Sequence, residues 1–193
     1  MIVDGFRIET LTPERWDHLV TVLGRSGMSG CWCMYWALPN QRLWGESAKG
    51  GAKARNKAAF RDLVDAGPPP GLLAYEADEP VGWCRVMPRD RLPSLANSRY
   101  FKTDLDIEGV WSLPCFVVRP KHRGRGLTAV LTKAAIAFAR DRGGRVLEAY
   151  PWKTGERKDP ATVYTGLAST FERLGFEVVQ QRAPHKPMMS LKL

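Results

Sequence analysis

The stretch "RPKHRGRGL", residues 119–127, decides which fold the sequence predicts. The segment before it, 110–118, is apolar at almost every position, which is typical of a strand buried on both faces. From 126 to 140, apolar side chains recur at helical spacing, which predicts a helix. Two glycines and several basic side chains therefore lie between a central strand and the start of a helix.

The two glycines, Gly124 and Gly126, favour an anion-binding site. Glycine reaches backbone torsion angles that other residues avoid, and it leaves no side chain in the path of a ligand. The first amides of a helix have no intrahelical partner, and the helix dipole adds positive charge there. A phosphate or pyrophosphate suits this position, and Arg123 and Arg125 would add charge-assisted contacts at its rim.

A nicotinamide-binding fingerprint is the first alternative. Gly124, Gly126 and Ala129 match the spacing G-x-G-x-x-A, and Glu148 lies where that fingerprint expects a ribose-binding acid. However, the polar segment 119–123 separates the strand from the first glycine, whereas the fingerprint turns tightly off its strand. Too few residues follow Glu148 to complete a doubly wound sheet, so the sequence counts against this alternative.

A nucleic-acid-binding patch and a solvated charged turn are two further alternatives. Nucleic-acid binding is less favoured because the basic residues are concentrated in one loop, and the helix after it has an apolar inner face. A solvated turn leaves unexplained why glycines stand at a helix start, where Ser, Thr or Asp normally caps the helix. We therefore favour the phosphate site.

The composition indicates a globular protein with anionic partners. The chain has 193 residues, of which 44% are hydrophobic and 25% charged, and its net charge is +9. This length predicts a single domain over 1–193. The charged N-terminus excludes a signal peptide, and no apolar run approaches the roughly 18 residues that span a bilayer. We expect a cytoplasmic protein that does not enter a membrane.

The four cysteines are predicted to be ordinary buried thiols. A cytoplasmic location argues against disulfides. Zinc binding is an alternative for Cys31 and Cys33, but one residue separates them where structural zinc sites usually have two to four. We predict no metal site.

Periodicity predicts the order β-α-α-β-β-β-α-β-α-β-β. Besides 110–118, the predicted strands are 6–11, 72–77, 81–87, 145–150, 176–181 and 188–193. The other predicted helices are 13–23, 52–66 and a last one that Asp159 and Pro160 cap and Gly175 ends. Pro114 predicts a bulge in its strand. The strands 110–118 and 145–150, joined through the helix, form a parallel pair, which gives a mixed sheet with helices on both faces.

Two motifs make the sequence resemble the GNAT superfamily of acyl-CoA-dependent N-acyltransferases. The first is Val118-Arg119-Pro120 followed by "RGRGLT" (123–128), and the second is "FERLGF" (171–176). The predicted element order fits the family from about residue 6 to 193. The resemblance implies a mixed, mostly antiparallel sheet whose central parallel pair splays apart.

The resemblance also implies the site residues for coenzyme A. The backbone that holds the pyrophosphate would be that of Arg123, Gly124, Arg125, Gly126, Leu127 and Thr128. The pantetheine arm would pair like an extra strand with the backbone of Phe116, Val117 and Val118, which requires the two parallel strands to separate. The implied reaction transfers an acetyl or other short acyl group from acyl-CoA, as co-substrate, to a primary amine by direct attack in a ternary complex.

The catalytic residues depart from the family pattern. Phe171 stands where the family often has a tyrosine that acts as the acid, and it has no proton to give. Tyr164, predicted two helical turns earlier on the same face, is the substitute, with a core tyrosine as the alternative. Glu148 is the candidate that takes the proton of the amine or anchors its charge, with a surface carboxylate paired to an arginine as the alternative.

The aromatic segment "CWCMYW" (31–36), with Trp44, is the last feature that the sequence singles out. It either packs over the core or forms the wall of an acceptor pocket, where cation–π attraction would hold an alkyl or cationic amine. The acceptor is then a small-molecule or peptide amine. A CoA-binding sensor without turnover is the alternative function, because Phe171 lacks a proton. The assembly, including a homodimer, and the identity of the acceptor stay open.

Overall fold

The computed structural model of the protein describes residues 1–24, 27–38, 51–155, 159 and 162–193. Trp44 and Pro160, which the sequence singles out, lie outside these residues. The strands are β1 (Ile2–Val3), β2 (Phe6–Thr10), β3 (Gly71–Glu76), β4 (Glu79–Pro88), β5 (Val110–Val118), β6 (Val146–Ala149), β7 (Glu177–Gln181) and β8 (Pro187–Lys192). The helices are α1 (Trp16–Leu23), α2 (Gly27–Gly30), α3 (Ala52–Ala66), α4 (Pro93–Ala96), α5 (Leu127–Arg140) and α6 (Ala168–Glu172).

The strands form one eight-stranded sheet in the order β1-β2-β3-β4-β5-β6-β8-β7. All neighbouring strands are antiparallel except β5 and β6, which run parallel from Val110–Val146 to Leu113–Ala149. This confirms the predicted mixed, mostly antiparallel sheet with a central parallel pair. The hairpin partner β1 is an additional strand that the alternation in the sequence did not indicate.

Helices cover both faces of the sheet, as predicted. On one face, α5 buries Leu127, Leu131 and Phe138 against the inner side chains of β3, β4 and β5. On the other face, α1 and α3 contribute Leu19 and Phe60 to a second cluster with Trp83. Because each strand alternates its side chains between the two faces, β4 and β5 supply residues to both clusters.

The parallel pair separates beyond Leu113, and Pro114 marks the place. Between β4 and β5 the register shifts, so that Arg85 pairs with Cys115 but Met87 pairs with Ser112. Two residues of β5 then oppose one of β4, which is a bulge, as the proline predicted. Past the bulge, the amide of Phe116 donates to the carbonyl of Tyr164 at 2.7 Å instead of pairing with β6. The segment 164–167 therefore lies between the separated ends, bonded to Phe116 on one side and to Trp152 on the other.

The last predicted helix is much shorter than expected. The periodicity of 163–174 indicated one long helix, but α6 begins at Ala168. Gly166 has φ +89°, and Leu167 forms an isolated parallel bridge with Trp152. These two constraints exclude a helix through 164–167, so Tyr164 and Phe171 do not share a helical face. The long connection 88–108 holds a short 3₁₀ turn (Arg89–Arg91) and α4.

None of the helices within the described residues has the length and apolarity that a membrane span requires. In the same part of the chain, no group of three His, Cys, Asp or Glu side chains could hold a metal ion. Three of the cysteine thiols, those of Cys33, Cys84 and Cys115, are buried and Cys31 is half-buried, which fits the predicted buried thiols.

Candidate active site

A cavity of about 620 Å³ lies at the start of α5, beside the end of β5. Seven of the nine residues predicted to bind the cofactor line it, namely Val117, Val118, Arg123, Gly124, Gly126, Leu127 and Thr128. The structure thus brings these seven residues together around one cavity, and their binding of a cofactor stays a prediction. What a cavity at this position can bind depends on its backbone geometry and its charges.

Both glycines of the cavity have left-handed torsion angles, with φ +76° at Gly124 and +78° at Gly126. A Cβ at either position would point into open space, so neither glycine is required by packing. Gly126 is the N-cap of α5, and the first intrahelical bonds to its carbonyl come from the amides of Ala129 and Val130. The earlier amides, at Leu127 and Thr128, lie at the positive end of the helix dipole, where an anion is favoured.

The backbone of 116–118 is less available than predicted. The Phe116 amide already donates to Tyr164, and Phe116 does not line the cavity. Successive amides of a strand point to opposite sides, and the Arg119 amide donates to Val81 in β4, so the Val117 amide also faces β4. The Val118 amide faces away from β4, while its carbonyl accepts from Arg123 Nε at 3.0 Å. The prediction of three consecutive residues open to a pantetheine arm is corrected to Val118.

Arg125 does not reach the rim of the cavity as predicted. Its Nη1 donates to Glu76 Oε2 at 2.9 Å and its Nη2 to the other carboxylate oxygen. This bidentate bond lowers the pKa of Glu76 below its usual value. The side chain of Arg125 is therefore held at the end of β3, and the charge that the sequence placed at the rim is partly neutralised.

Four further side chains that the sequence did not indicate belong to the described lining of this cavity. His122, Asp159, Thr170 and Arg173 also line it. Arg173 follows the last turn of α6 and lies inside the "FERLGF" motif, where the sequence analysis gave it no role. The position of an arginine relative to a cavity depends on how α6 packs, and no local pattern carries that information.

A second cavity, of about 950 Å³, adjoins the first through the segment 162–164. Val163 lines the first cavity, whereas Thr162 and Tyr164 line the second. The wall of the second cavity is mostly aromatic, formed by Tyr35, Trp36, Tyr100, Phe101, Tyr150, Trp152 and Tyr164. The segment 162–164 therefore forms a wall between the two cavities.

The segment 31–36 divides between the core and the second cavity. Trp32 is buried and stacks on Trp16 with ring centroids 6.1 Å apart, which is core packing. Tyr35 and Trp36 line the second cavity. Trp32, Cys33 and Met34 all belong to the core cluster, and the positive φ values of Trp32 (+46°) and Cys33 (+56°) turn the chain ahead of Tyr35.

Tyr164 lies at the junction of the two cavities. Burial raises the pKa of its hydroxyl far above the ordinary tyrosine value, and the nearby Tyr35 and Cys115 add to the effect. The phenol therefore stays protonated at neutral pH and can donate a proton or a hydrogen bond. Phe171 is fully buried between Phe116 and Phe176 and belongs to the core.

Glu148 is buried in an ion pair and does not line either cavity. Its carboxylate accepts from Arg89 Nη1 and, at 2.8 Å, from the hydroxyl of Tyr150. Arg89 Nη2 also donates to the carbonyl of Phe101 at 2.6 Å. Of the two residues that bond to Glu148, Arg89 does not line the second cavity and Tyr150 does. The expectation that it faces the cleft is therefore corrected, and of the alternative, the pairing with an arginine is present while the surface position is not.

A buried arginine surrounded by thiols is the feature that the sequence analysis missed entirely. Arg85 is 0% exposed, its Nη1 donates to the carbonyl of Cys33, and its Nε lies 3.1 Å from Met87 Sδ. Trp83 Nε1 donates to Cys33 Sγ at 3.1 Å. A hydrogen bond from Cys115 lowers the pKa of the Cys33 thiol, and the Arg85 charge acts in the same direction. Cys33 is thus the thiol most favoured to ionise in this cluster.

A comparison of the sequence with known protein families identifies the family of this chain. Residues 35–162 match the family model of the acetyltransferase (GNAT) family. The chain belongs to this family, and the resemblance carried by its two motifs is confirmed.

Solved structures of acetyltransferases share the fold. A GCN5-related N-acetyltransferase from Kribbella flavida is 14% identical with a TM-score of 0.57, covering 98% of this chain and 99% of that chain. YncA from Salmonella typhimurium, solved with acetyl-CoA, is 16% identical with a TM-score of 0.55, covering 98% and 95%. PaiA N-acetyltransferase from Thermoplasma acidophilum, solved with coenzyme A, is 13% identical with a TM-score of 0.51, covering 97% and 99%. A search of curated proteins returned no match.

Proposed function

We propose that the protein transfers an acetyl or other short acyl group from acyl-CoA to a primary amine, by direct attack in a ternary complex. The observation that carries this proposal is the cavity at the start of α5, where Gly124 and Gly126 both have left-handed torsion angles and leave open space. A pyrophosphate there would accept from the amides of Leu127 and Thr128. The coenzyme A complexes of PaiA and YncA support the choice of ligand.

The two cavities support a ternary complex. With the pyrophosphate at the start of α5, the pantetheine arm would run past Val118 toward Tyr164. The acyl group would then lie where the first cavity meets the second, within reach of an amine in the second cavity. As the nitrogen attacks the thioester carbon and the C–S bond breaks, Tyr164 would donate its proton to the departing thiolate and regain one from the nitrogen of the new amide. A single domain over 1–193 and a cytoplasmic location remain part of this proposal.

Calorimetry with coenzyme A tests the site directly. Gly126→Val should weaken binding by about 10- to 100-fold, the loss that follows when a hydrogen bond to a charged group is removed. The β-branched side chain would enter the space that the pyrophosphate needs. Unchanged affinity in Gly126→Val would contradict the site.

Gly143→Val is the matched control for this measurement. Gly143 also has a left-handed φ, +80°, with open space at its Cβ. It follows the opposite end of α5, a helix of 14 residues, and so lies about 20 Å from Gly126. The backbone strain is shared, but the cavity is not touched. We expect Gly143→Val to keep the affinity of the wild type for coenzyme A.

A CoA-binding sensor is the second candidate, favoured by the burial of Phe171 in place of a catalytic tyrosine. A thiol-release assay with acetyl-CoA and a broad panel of amines separates the two functions. Release of coenzyme A that depends on an amine supports the transferase. Binding of acetyl-CoA with no release across the panel would support the sensor.

Nucleic-acid binding finds less support. Arg119 is bound by Glu79, and Arg125 by Glu76, so two of the basic residues in 119–127 are already paired with carboxylates. Binding to arbitrary DNA or RNA that weakens with salt and survives saturating coenzyme A would favour this function instead.

A further inference from the structure

The charges of the second cavity restrict the kind of acceptor that it can hold. Among its described lining residues there are two cations, Arg99 and Lys186, and no aspartate or glutamate. Neither cation lies within ion-pair distance of a carboxylate of any described residue. A second positive charge on the acceptor would be repelled here, whereas a negative charge would be attracted.

Lys186 is held in place by aromatic rings. Its Nζ lies 4.6 Å from the centroid of Trp152 and 5.0 Å from that of Tyr100. Burial lowers the pKa of Lys186, and the nearby Arg99 acts in the same direction. The ammonium group is thus partly desolvated and has no counter-ion among the described residues. An anionic ligand would supply one.

The wall also has hydrogen-bond donors without partners. Trp36 is 5% exposed and Thr165 is 4% exposed, and both line the cavity. Trp36 Nε1 and Thr165 Oγ1 have no hydrogen-bond partner among the described residues. Both atoms are inaccessible, so they lie behind the surface of the wall, and the two cations are the charged donors that a ligand in the cavity would meet.

Three rings of the wall, those of Trp36, Phe101 and Tyr150, are buried and pack mainly on one another. Trp36, Phe101 and Tyr150 form a cluster in which the ring centroids of Phe101 and Tyr150 lie 4.9 Å apart and those of Trp36 and Tyr150 lie 6.1 Å apart. Aromatic groups favour such offset or tilted contacts with one another. The cavity volume of about 950 Å³ leaves room for an aromatic side chain beside the backbone of an amino acid.

We propose that the acceptor is an amine that carries a carboxylate, as α-amino acids do. This inference rests on the proposed function for its reaction, but the binding of the acceptor can be tested without turnover. The carboxylate would pair with Lys186 and Arg99, and the amine would face Tyr164. The cationic acceptor that cation–π attraction suggested from the sequence is thereby replaced.

The first test uses ligands that differ in the carboxylate alone. Calorimetry on the protein saturated with coenzyme A compares tryptophan with tryptamine, and phenylalanine with phenethylamine. We expect the amino acids to bind at least tenfold more tightly, since each charge-assisted bond that they gain has this effect or more. Equal binding, or tighter binding of the decarboxylated amines, would overturn the inference. Tight binding of tryptophan without release of coenzyme A from acetyl-CoA would support it while contradicting the proposed function.

The second test assigns the preference to a residue. Lys186→Gln should lower the ratio of tryptophan to tryptamine affinity by about tenfold. The carboxylate of tryptophan loses the ammonium group that pairs with it, whereas the contacts common to both ligands stay. Lys192→Gln, at an exposed position on β8, is the matched control and should keep the ratio. An unchanged ratio in Lys186→Gln would contradict the proposed position of the carboxylate.

The third comparison separates charge from amine basicity. Tryptophan amide has no negative charge, and its amine is less basic than that of tryptophan. If thiol release follows the ease of deprotonating the amine, the amide is the better substrate. If the cavity selects the carboxylate, tryptophan has the higher kcat/KM and the difference lies mainly in KM, which is the result that we expect.

Discussion

At the scale of single residues, Tyr164 joins two features of the site. Its carbonyl accepts from the Phe116 amide at 2.7 Å and so closes the ladder of β5 beyond the bulge. Its side chain lines the second cavity. The backbone of this residue therefore holds the end of β5, and its hydroxyl is the proton donor in the proposed complex.

Tyr164→Phe should reduce turnover by about 100-fold or more while changing the affinity for coenzyme A little. A positioned general acid contributes typically 10²- to 10⁴-fold to a rate. The backbone carbonyl that holds Phe116 is kept in this variant, so the end of β5 should stay in place. Thiol-release kinetics and calorimetry measure the two quantities separately.

Tyr75→Phe is the control for the loss of a tyrosine hydroxyl. Tyr75 Oη lies 2.8 Å from His18 Nδ1 and does not line either cavity. This variant should keep the turnover of the wild type. Equal turnover in Tyr164→Phe and Tyr75→Phe would exclude Tyr164 as the acid.

At the scale of secondary-structure elements, the ion pair of Arg89 and Glu148 ties the connection after β4 to β6. Both side chains are nearly inaccessible, at 4% and 7% exposure. Tyr150, at the end of β6, bonds to both of them and to Ser112 in β5. This network fixes the floor of the second cavity, since Tyr150 also lines it.

Glu148→Ala should lower the free energy of unfolding by about 3–5 kcal/mol, because it leaves the Arg89 guanidinium buried and unpaired. The double variant Arg89→Met, Glu148→Met should be less destabilised, since no charge is left uncompensated. Urea unfolding followed by circular dichroism measures both. If Glu148→Ala instead keeps its stability and loses only turnover, Glu148 acts as a base and the structural role is wrong.

At the scale of the whole molecule, buried thiols connect stability to pH. Burial raises the pKa of Cys84 far above the value of about 8.5 for a free thiol, so the folded protein keeps this proton when the unfolded chain loses it. A group whose pKa is raised on folding contributes stability that is complete below the unfolded pKa and is lost as pH rises. The affected range therefore begins at about pH 8.5.

The free energy of unfolding should fall above pH 8.5, and Cys84 should account for up to about 1.4 kcal/mol per pH unit of that fall. Cys84→Ala removes this contribution and should give a shallower slope between pH 8.5 and 10.5, even if its stability at pH 7 is lower. Urea unfolding of both proteins across this range gives the slopes. Parallel slopes would show that the Cys84 proton does not differ between the folded and unfolded states.

Features that depend on neighbouring residues along the chain could be predicted from the sequence alone. The helix Ala52–Ala66 and the strand Val110–Val118 have the predicted bounds, and α5 begins one residue later than expected. The bulge at Pro114 and the left-handed glycines at the start of α5 also follow from the chemistry of single residues. Periodicity and backbone torsion act over a few residues, and a sequence displays them directly.

Contacts between side chains that are far apart in the sequence became known only from the tertiary structure. Glu148 pairs with Arg89, 59 residues away, and Arg85 contacts Cys33, 52 residues away. Helical periodicity at 163–167 was overridden by the bridge of Leu167 with Trp152 and the bond of Tyr164 to Phe116. Such contacts depend on how distant segments pack, because burial and charge pairing are properties of the assembled core. The cavity at the start of α5 was therefore predictable from one stretch, whereas the second cavity, whose described lining comes from five separate segments, was not.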